Sequence, residues 1–276
     1  MKRIVYSFLS VLIIAAFAPF LVGQQLAASP TATITQAAPS GAAPDLCSHL
    51  FKVGNSSSSL QLQYCVTANG NISSIETPFG HFHLGAQGEG YGLCQESPAT
   101  EYHDYIVIAS GWGAAQIVSA TNSAIKISRS TADGNWTLVQ TISKVAATAS
   151  IKIVMALTNN QSVDKVAYLV RFADVDPDGK QSTDIASGSS FQSAFAWQVM
   201  FDTLHYGLRL ENAGKWSGYQ QGFVQSGPGG PNPCAFAFNA LPYGYGGAFD
   251  SSLVYAYAGV VPAHKTVSVT LNYHGM

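Results

Sequence analysis

Apolar residues recur at every second position through most of the chain. Ile125 and Ile127 do so, as do Trp136 and Leu138, and then Ile151, Ile153, Met155 and Leu157. Val166, Tyr168, Val170 and Phe172 repeat the rhythm, and near the C-terminus Val267, Val269, Leu271 and Tyr273 alternate with Ser268, Thr270 and Asn272. A period of two lays one face of each strand on a core and leaves the other wet. The segment VAYLVRFA, residues 166 to 173, is apolar on both registers, which predicts a central strand covered on both sides. Asn69-Gly70, between LQLQYCVT and NISSIET, and Asp133-Gly134, between IKISRST and NWTLVQTISK, predict hairpins with type I′ turns, in which both central residues need positive φ.

About twelve to fourteen strands emerge, with no amphipathic helix after the N-terminal segment. That pattern predicts an all-β fold, a large antiparallel β-sandwich, with a jelly roll or cupin-like barrel as the alternative. Two segments break it. SGPGGPNPC (226–234) and PYGYGGAF (242–249) are too rich in Gly and Pro for strands and predict one long, ordered surface loop.

The N-terminus reads differently. Lys2 and Arg3 precede an apolar run from Ile4 to Ala18, then Pro19 and small residues, so residues 1–23 are expected to be an export signal, cut between about 23 and 29. Residues 24–44 carry no charge and read as a flexible Ala/Thr/Ser/Pro leader. Residues 45–276 are expected to form a single β-sandwich domain, secreted or periplasmic, with no membrane insertion once the signal is removed. Cys47, Cys65, Cys94 and Cys234 then imply two disulfides. Three pairings are possible, and a short hairpin between Cys47 and Cys65 favours 47–65 with 94–234. Losing Lys2 and Arg3 from thirteen basic residues leaves eleven against fifteen acidic ones, an acidic balance that argues against nucleic acid or anionic membrane as partner.

Charge is scarce, at 10% of residues, yet RFADVDPDGKQSTD (171–184) gathers four carboxylates. Asp174, Asp176 and Asp178, closed by Gly179, form DxDxDG. Three carboxylates at this spacing can converge on a hard cation if the chain turns sharply, and glycine permits the turn. The stretch resembles the calcium loops of EF-hand, dockerin and thrombospondin-type repeats, and departs from them where Ile185 stands in place of the closing bidentate Glu. The resemblance implies a structural calcium at Asp174, Asp176 and Asp178, with Asp184 as a further ligand.

In GHFHLGAQGEGYGLCQE (80–96), His81 and His83 share a strand face and Glu89 follows. The set is similar to a fragment of the cupin metal motif, with a longer gap before the Glu, and gives an alternative metal site at His81, His83 and Glu89. GxSxG, HExxH and phosphate-loop motifs are absent, and no carboxylate pair stands out for glycoside hydrolysis.

Trp136 and Trp197 lie inside strand patterns, which predicts core packing. Trp112, Trp216, Tyr219, Tyr243 and Tyr245 lie in Gly-rich turns, where flat rings suit the apolar faces of sugars. The expectation is a secreted, non-catalytic binding or adhesion module for a glycan or cell-surface polymer. A metal-dependent cupin-like enzyme, or a glycan-active hydrolase or isomerase on a sandwich scaffold, are the alternatives.

Overall fold

The alternating stretches form strands wherever the period of two is sustained. The computed structural model describes residues 47–180, 185–198, 206–226, 232–238, 247–248 and 250–276, all within the unit Ala38–Met276. The expected signal and leader, and Asp184, Tyr243 and Tyr245, lie outside the described residues.

Among the described residues the strands pair antiparallel in three sheets. The smallest joins β1 (His49–Val53), β2 (Leu62–Val66) and β3 (Ile72–Glu76). A six-stranded sheet contains β4 (Leu84–Gln95), β5 (Thr100–Asp104), β6 (Ala109–Ser110), β11 (Lys165–Val175), β15 (Tyr219–Ser226) and β17 (Ser251–Val261), in the order β15-β17-β11-β4-β5-β6. The remaining nine form the largest sheet: β7 (Trp112–Ala120), β8 (Ala124–Thr131), β9 (Trp136–Val145), β10 (Ser150–Asn159), β12 (Ile185–Ser189), β13 (Ser193–Gln198), β14 (Gly207–Asn212), β16 (Gly247–Ala248) and β18 (Thr266–Gly275). Its order is β16-β12-β13-β14-β18-β10-β9-β8-β7. The six- and nine-stranded sheets stack as a sandwich, as the sequence rhythm predicts.

One face of each large sheet builds a common core. Ile151, Ile153, Met155 and Leu157 of β10 and Val269, Leu271 and Tyr273 of β18 meet Leu169 and Ala173 of β11 and Tyr255 and Tyr257 of β17. Strand β11 is covered on both sides. Its odd positions face the core, while Val170 and Phe172 join Tyr105, Phe223, Val254 and Ala256 in a second cluster on the outer face. There α1 (Pro233–Phe238) packs on β4, β5 and β11. The Gly/Pro-rich segment therefore contributes a short helix, which periodicity could not reveal in six residues.

The core also holds charge. Arg171 and Glu89, both fully buried, form an ion pair between the sheets. Arg171 also donates to Gln140 Oε1 at 2.7 Å and to the Gly70 carbonyl at 3.4 Å. Glu89 accepts from Tyr273 Oη at 3.0 Å and from the Ile72 N–H at 2.7 Å. Burial pushes the Glu89 carboxyl up, and the Arg171 charge with these donors draws it back. A second buried pair, Arg129 with Asp104, is joined by Tyr91 Oη at 3.0 Å from Arg129. Asn69 donates to Asp104 at 3.1 Å, and Asn71 donates to the Asp104 carbonyl at 2.8 Å. The β2–β3 turn is thus inserted into the sandwich and satisfies groups that burial would otherwise leave costly.

Both predicted hairpins form, with a different turn. Gly70 and Gly134 have φ of 88° and 74°, while Asn69 and Asp133 are not among the positive-φ residues. The Gly70 N–H reaches the Thr67 carbonyl at 3.1 Å and the Gly134 N–H the Thr131 carbonyl at 2.9 Å. This is the geometry of a type I turn closed by a left-handed glycine. Thr67 and Thr131 hydroxyls, accepting the Asn71 and Trp136 N–H groups, hold the longer loop in place. Disulfides join Cys47 to Cys65 and Cys94 to Cys234, the favoured pairing. Among the described residues no helix is long and apolar enough to cross a membrane.

Candidate functional site

Asp174 lies one residue from the end of β11, just past a register shift against β4, and Asp176 follows the strand. The chain then makes a single 3-10 turn, Pro177–Gly179, with Asp178 and Gly179 at φ of 54° and 71°. Gly179 does permit the sharp turn expected of it. The turn also carries the third carboxylate away. Asp178 binds His81 Nδ1 at 2.9 Å and accepts the Phe82 N–H at 3.1 Å. Its place beside Asp174 and Asp176 is taken by Asp250, at the entry to β17, and one oxygen from each of the three lies within 4.8 Å of the others.

Asp174 and Asp176 are buried and Asp250 is half-buried. Asp174 accepts the Gln87 N–H at 2.8 Å and the Ser252 hydroxyl at 3.4 Å. Burial, with the neighbouring Asp176 and Asp250 charges, pushes Asp174 up to about 7, and burial raises Asp250. Gly85 faces the trio, and a Cβ there would collide with the Asp174 and Asp176 carboxylates, so glycine keeps that space open. Three carboxylates with no sulfur or imidazole among them suit a hard divalent cation.

The alternative set does not assemble. Glu89 points into the sandwich, neutralised by Arg171, while His81 lies at the surface stacked on Tyr206 at 3.6 Å. His83 is fully buried and its Nε2 is hydrogen-bonded to the Thr77 carbonyl at 2.7 Å. The inward register of β4 removes the Glu from any shared site with the histidines.

The expected aromatic ligand face is also divided. Trp216 packs edge-on to Tyr257 at 5.9 Å and gives its indole N–H to the Tyr219 and Ala258 carbonyls, both at 3.1 Å. It lines a small apolar void with Leu157, Leu169, Val267 and Val269. Trp112 packs instead against Tyr91, Tyr102 and Arg129. Both rings cover ends of the core. Tyr219 is 53% exposed and bonds Gln221.

A different face gathers what those rings do not. On β13, Ala194 and Ala196 enter the core, so Phe195 and Trp197 face outward, contrary to the core role expected of Trp197. The facing strand β17 supplies the large Tyr255 and Tyr257, which leaves room beneath β13 only for alanine. Phe195 is paired across the sheet with Arg209, and Arg209 with His274. Glu211 is paired with Asn272 one step along. These six residues therefore share the outer face of three adjacent strands, all half-buried.

The two rings stack at 5.5 Å and 24°, and the Arg209 guanidinium lies 5.4 Å over Phe195. Gly188 and Gly207 sit against Phe195 and Trp197 so closely that a Cβ would press into either side chain. His274 Nε2 is 3.2 Å from Glu211 but out of line for a hydrogen bond. Arg209 Nε, Asn272 Oδ1 and His274 Nε2 are enclosed and lack a hydrogen-bond partner. The face therefore combines flat apolar rings with unused donors and an acceptor. Sequence reasoning missed all six, because aromatics alternating with alanine read as inward-facing.

No family model and no curated protein matches this chain. Solved structures do match in fold. A bacterial glucoamylase complexed with acarbose superposes with a TM-score of 0.56 at 8% identity, covering 83% of this chain and 32% of that one. This chain thus spans about a third of the glucoamylase. A polysaccharide lyase (TM-score 0.47, 9% identity, 78% of this chain and 32% of that) and a galactose mutarotase related enzyme from Lactobacillus acidophilus (0.44, 6%, 83% and 97%) are more distant and do not bear on the site.

Proposed function

We propose that this is an exported carbohydrate-binding β-sandwich protein that takes its ligand on the outer face of β13, β14 and β18. The observation that carries the reading is the juxtaposition of the Phe195–Trp197 platform with Arg209, Glu211, Asn272 and His274. Sugar rings present an apolar face and a hydroxyl rim, and such a surface meets both with stacking and convergent polar groups. Trp112 and Trp216 have core-covering roles in this reading, and binding does not depend on Tyr219, Tyr243 or Tyr245. The two disulfides accord with an extracytoplasmic location.

Asp174, Asp176 and Asp250 hold a structural divalent cation, calcium by its preference for carboxylate oxygens. It neutralises three crowded charges and ties the entry of β17 to the end of β11. A catalytic role on sugars is the alternative: Glu211 and His274 are ionisable groups 3.2 Å apart on the platform. The test is a glycan array probed with the native protein and with a Phe195→Ala/Trp197→Ala variant shown to be folded by circular dichroism. Retention of defined glycans by the native protein alone is expected. An array with no retained glycan ends the reading.

A further inference from the structure

We infer that the ligand of the β13–β14–β18 face is an anionic glycan, whose carboxylate or sulfate is taken by Arg209. The inference rests on the carbohydrate reading above and specifies its substrate class.

The chain as a whole is acidic, with thirteen basic against fifteen acidic residues. The outer face of the nine-stranded sheet reverses that balance. Its outward positions carry Lys126, Lys152, Arg209 and His274, with Glu211 the sole carboxylate among the described strands. Lys152 is cross-strand from Asn272, which is itself cross-strand from Glu211, so a lysine extends the same row. Glu211 lies 3.2 Å from His274, and among the described residues Lys126, Lys152 and Arg209 form no ion pair with a carboxylate.

Arg209 differs from the other described arginines. Arg129 and Arg171 each hold a carboxylate inside the sandwich. Arg209 holds none, and its Nε is enclosed without an acceptor. A buried donor left unmade is costly, and an incoming acceptor recovers that cost. The planar guanidinium offers parallel N–H groups that match the two oxygens of a carboxylate, or two of a sulfate. Phe195 lies 5.4 Å from its Cζ and stacks in turn on Trp197. A sugar seated on Trp197 would thus present an acidic substituent to the guanidinium on the neighbouring strand, diagonally across from Trp197 at about 7–8 Å.

The test is calorimetric titration of the purified protein with oligogalacturonate and with the same oligomer fully methyl-esterified, alongside a sulfated galactan oligomer and its desulfated form. At moderate salt the acidic member of one pair is expected to bind about tenfold or more tighter than its neutral counterpart, as for one charge-assisted bond. Preference within the carboxylate pair or within the sulfate pair identifies the anion. Arg209→Gln should abolish the preference between the two members, Arg209→Lys should keep part of it, and Trp197→Ala should weaken both members. Equal binding of acidic and neutral members, still sensitive to Trp197→Ala, overturns this inference and leaves the carbohydrate reading standing. Absence of binding to every oligomer, with the array also blank, overturns both. If Arg209→Gln does not fold, Arg209→Lys with the native acid-to-ester ratio decides.

Discussion

Replacing Arg171 with Met removes the cation of the central buried pair while roughly keeping the volume of the side chain. Glu89 would then stand in the sandwich with only the Ile72 N–H and Tyr273 hydroxyl as donors, and Gln140 Oε1 and the Gly70 carbonyl would each lose a donor. Breaking a buried pair by deleting one partner costs about 3–5 kcal/mol. A domain stable by about 5–15 kcal/mol would lose about a fifth or more of its margin, a fall in Tm of roughly 6–20 °C. Guanidinium unfolding and scanning calorimetry of Arg171→Met, Glu89→Leu and the double variant measure this. The double variant should be more stable than Arg171→Met, because the uncompensated carboxylate is gone. A single-variant loss below about 1 kcal/mol, or additive losses in the double variant, would refute the assignment of the pair as the polar tie between the sheets.

Three further outcomes follow from particular residues. Calcium at a hundredfold excess over its Kd should stabilise the protein by about 2.7 kcal/mol. Calorimetry with calcium or chelator checks this, Asp250→Asn should erase the increment, and an unchanged Tm counts against the site. Burial holds His83 below its ordinary value, so the unfolded chain binds a proton before the folded one. Its contribution is complete above pH 6.5 and fades as pH falls, by about 1.4 kcal/mol per unit until the folded pKa is reached. His83→Gln, which can still donate to the Thr77 carbonyl, should lose less stability between pH 7 and 5 than the native protein, and an identical pH profile would contradict this. Gly70→Ala should cost more than Gly134→Ala by thermal unfolding. Both glycines have positive φ, but a Cβ at Gly70 would lie 2.5 Å from Gln140 Nε2 while Gly134 faces open space. Equal costs would mean that the buried turn yields freely.

The architecture was legible because burial on a strand writes a period of two, and Ile151 to Leu157 and Val267 to Tyr273 follow it without interruption. The disulfide pairing followed from the even cysteine count and the short Cys47–Cys65 interval. The carboxylate cluster was legible in part. Asp174 and Asp176 are near neighbours in the chain, but Asp250 arrives from β17, and no spacing rule relates residues that only sheet pairing brings together. Asp178 was misplaced because spacing alone does not tell which way a 3-10 turn aims its side chains. The outer platform was not legible at all. Whether Phe195 or Ala194 faces the core is decided by the tyrosines of β17, far away in sequence, and a strand of six residues carries either register equally well.

On the proposed face the ligand meets Trp197, while Trp216 covers an end of the core. The affinity of Trp197→Ala and Trp216→Ala should be measured side by side for a glycan that the native protein retains. Loss of about thirtyfold or more on Trp197→Ala, the scale of a binding hot spot, with affinity within about twofold of native and a lowered Tm on Trp216→Ala, is the predicted result. Native affinity in Trp197→Ala, with binding lost in a folded Trp216→Ala, would place the ligand at the end of the sandwich and contradict it.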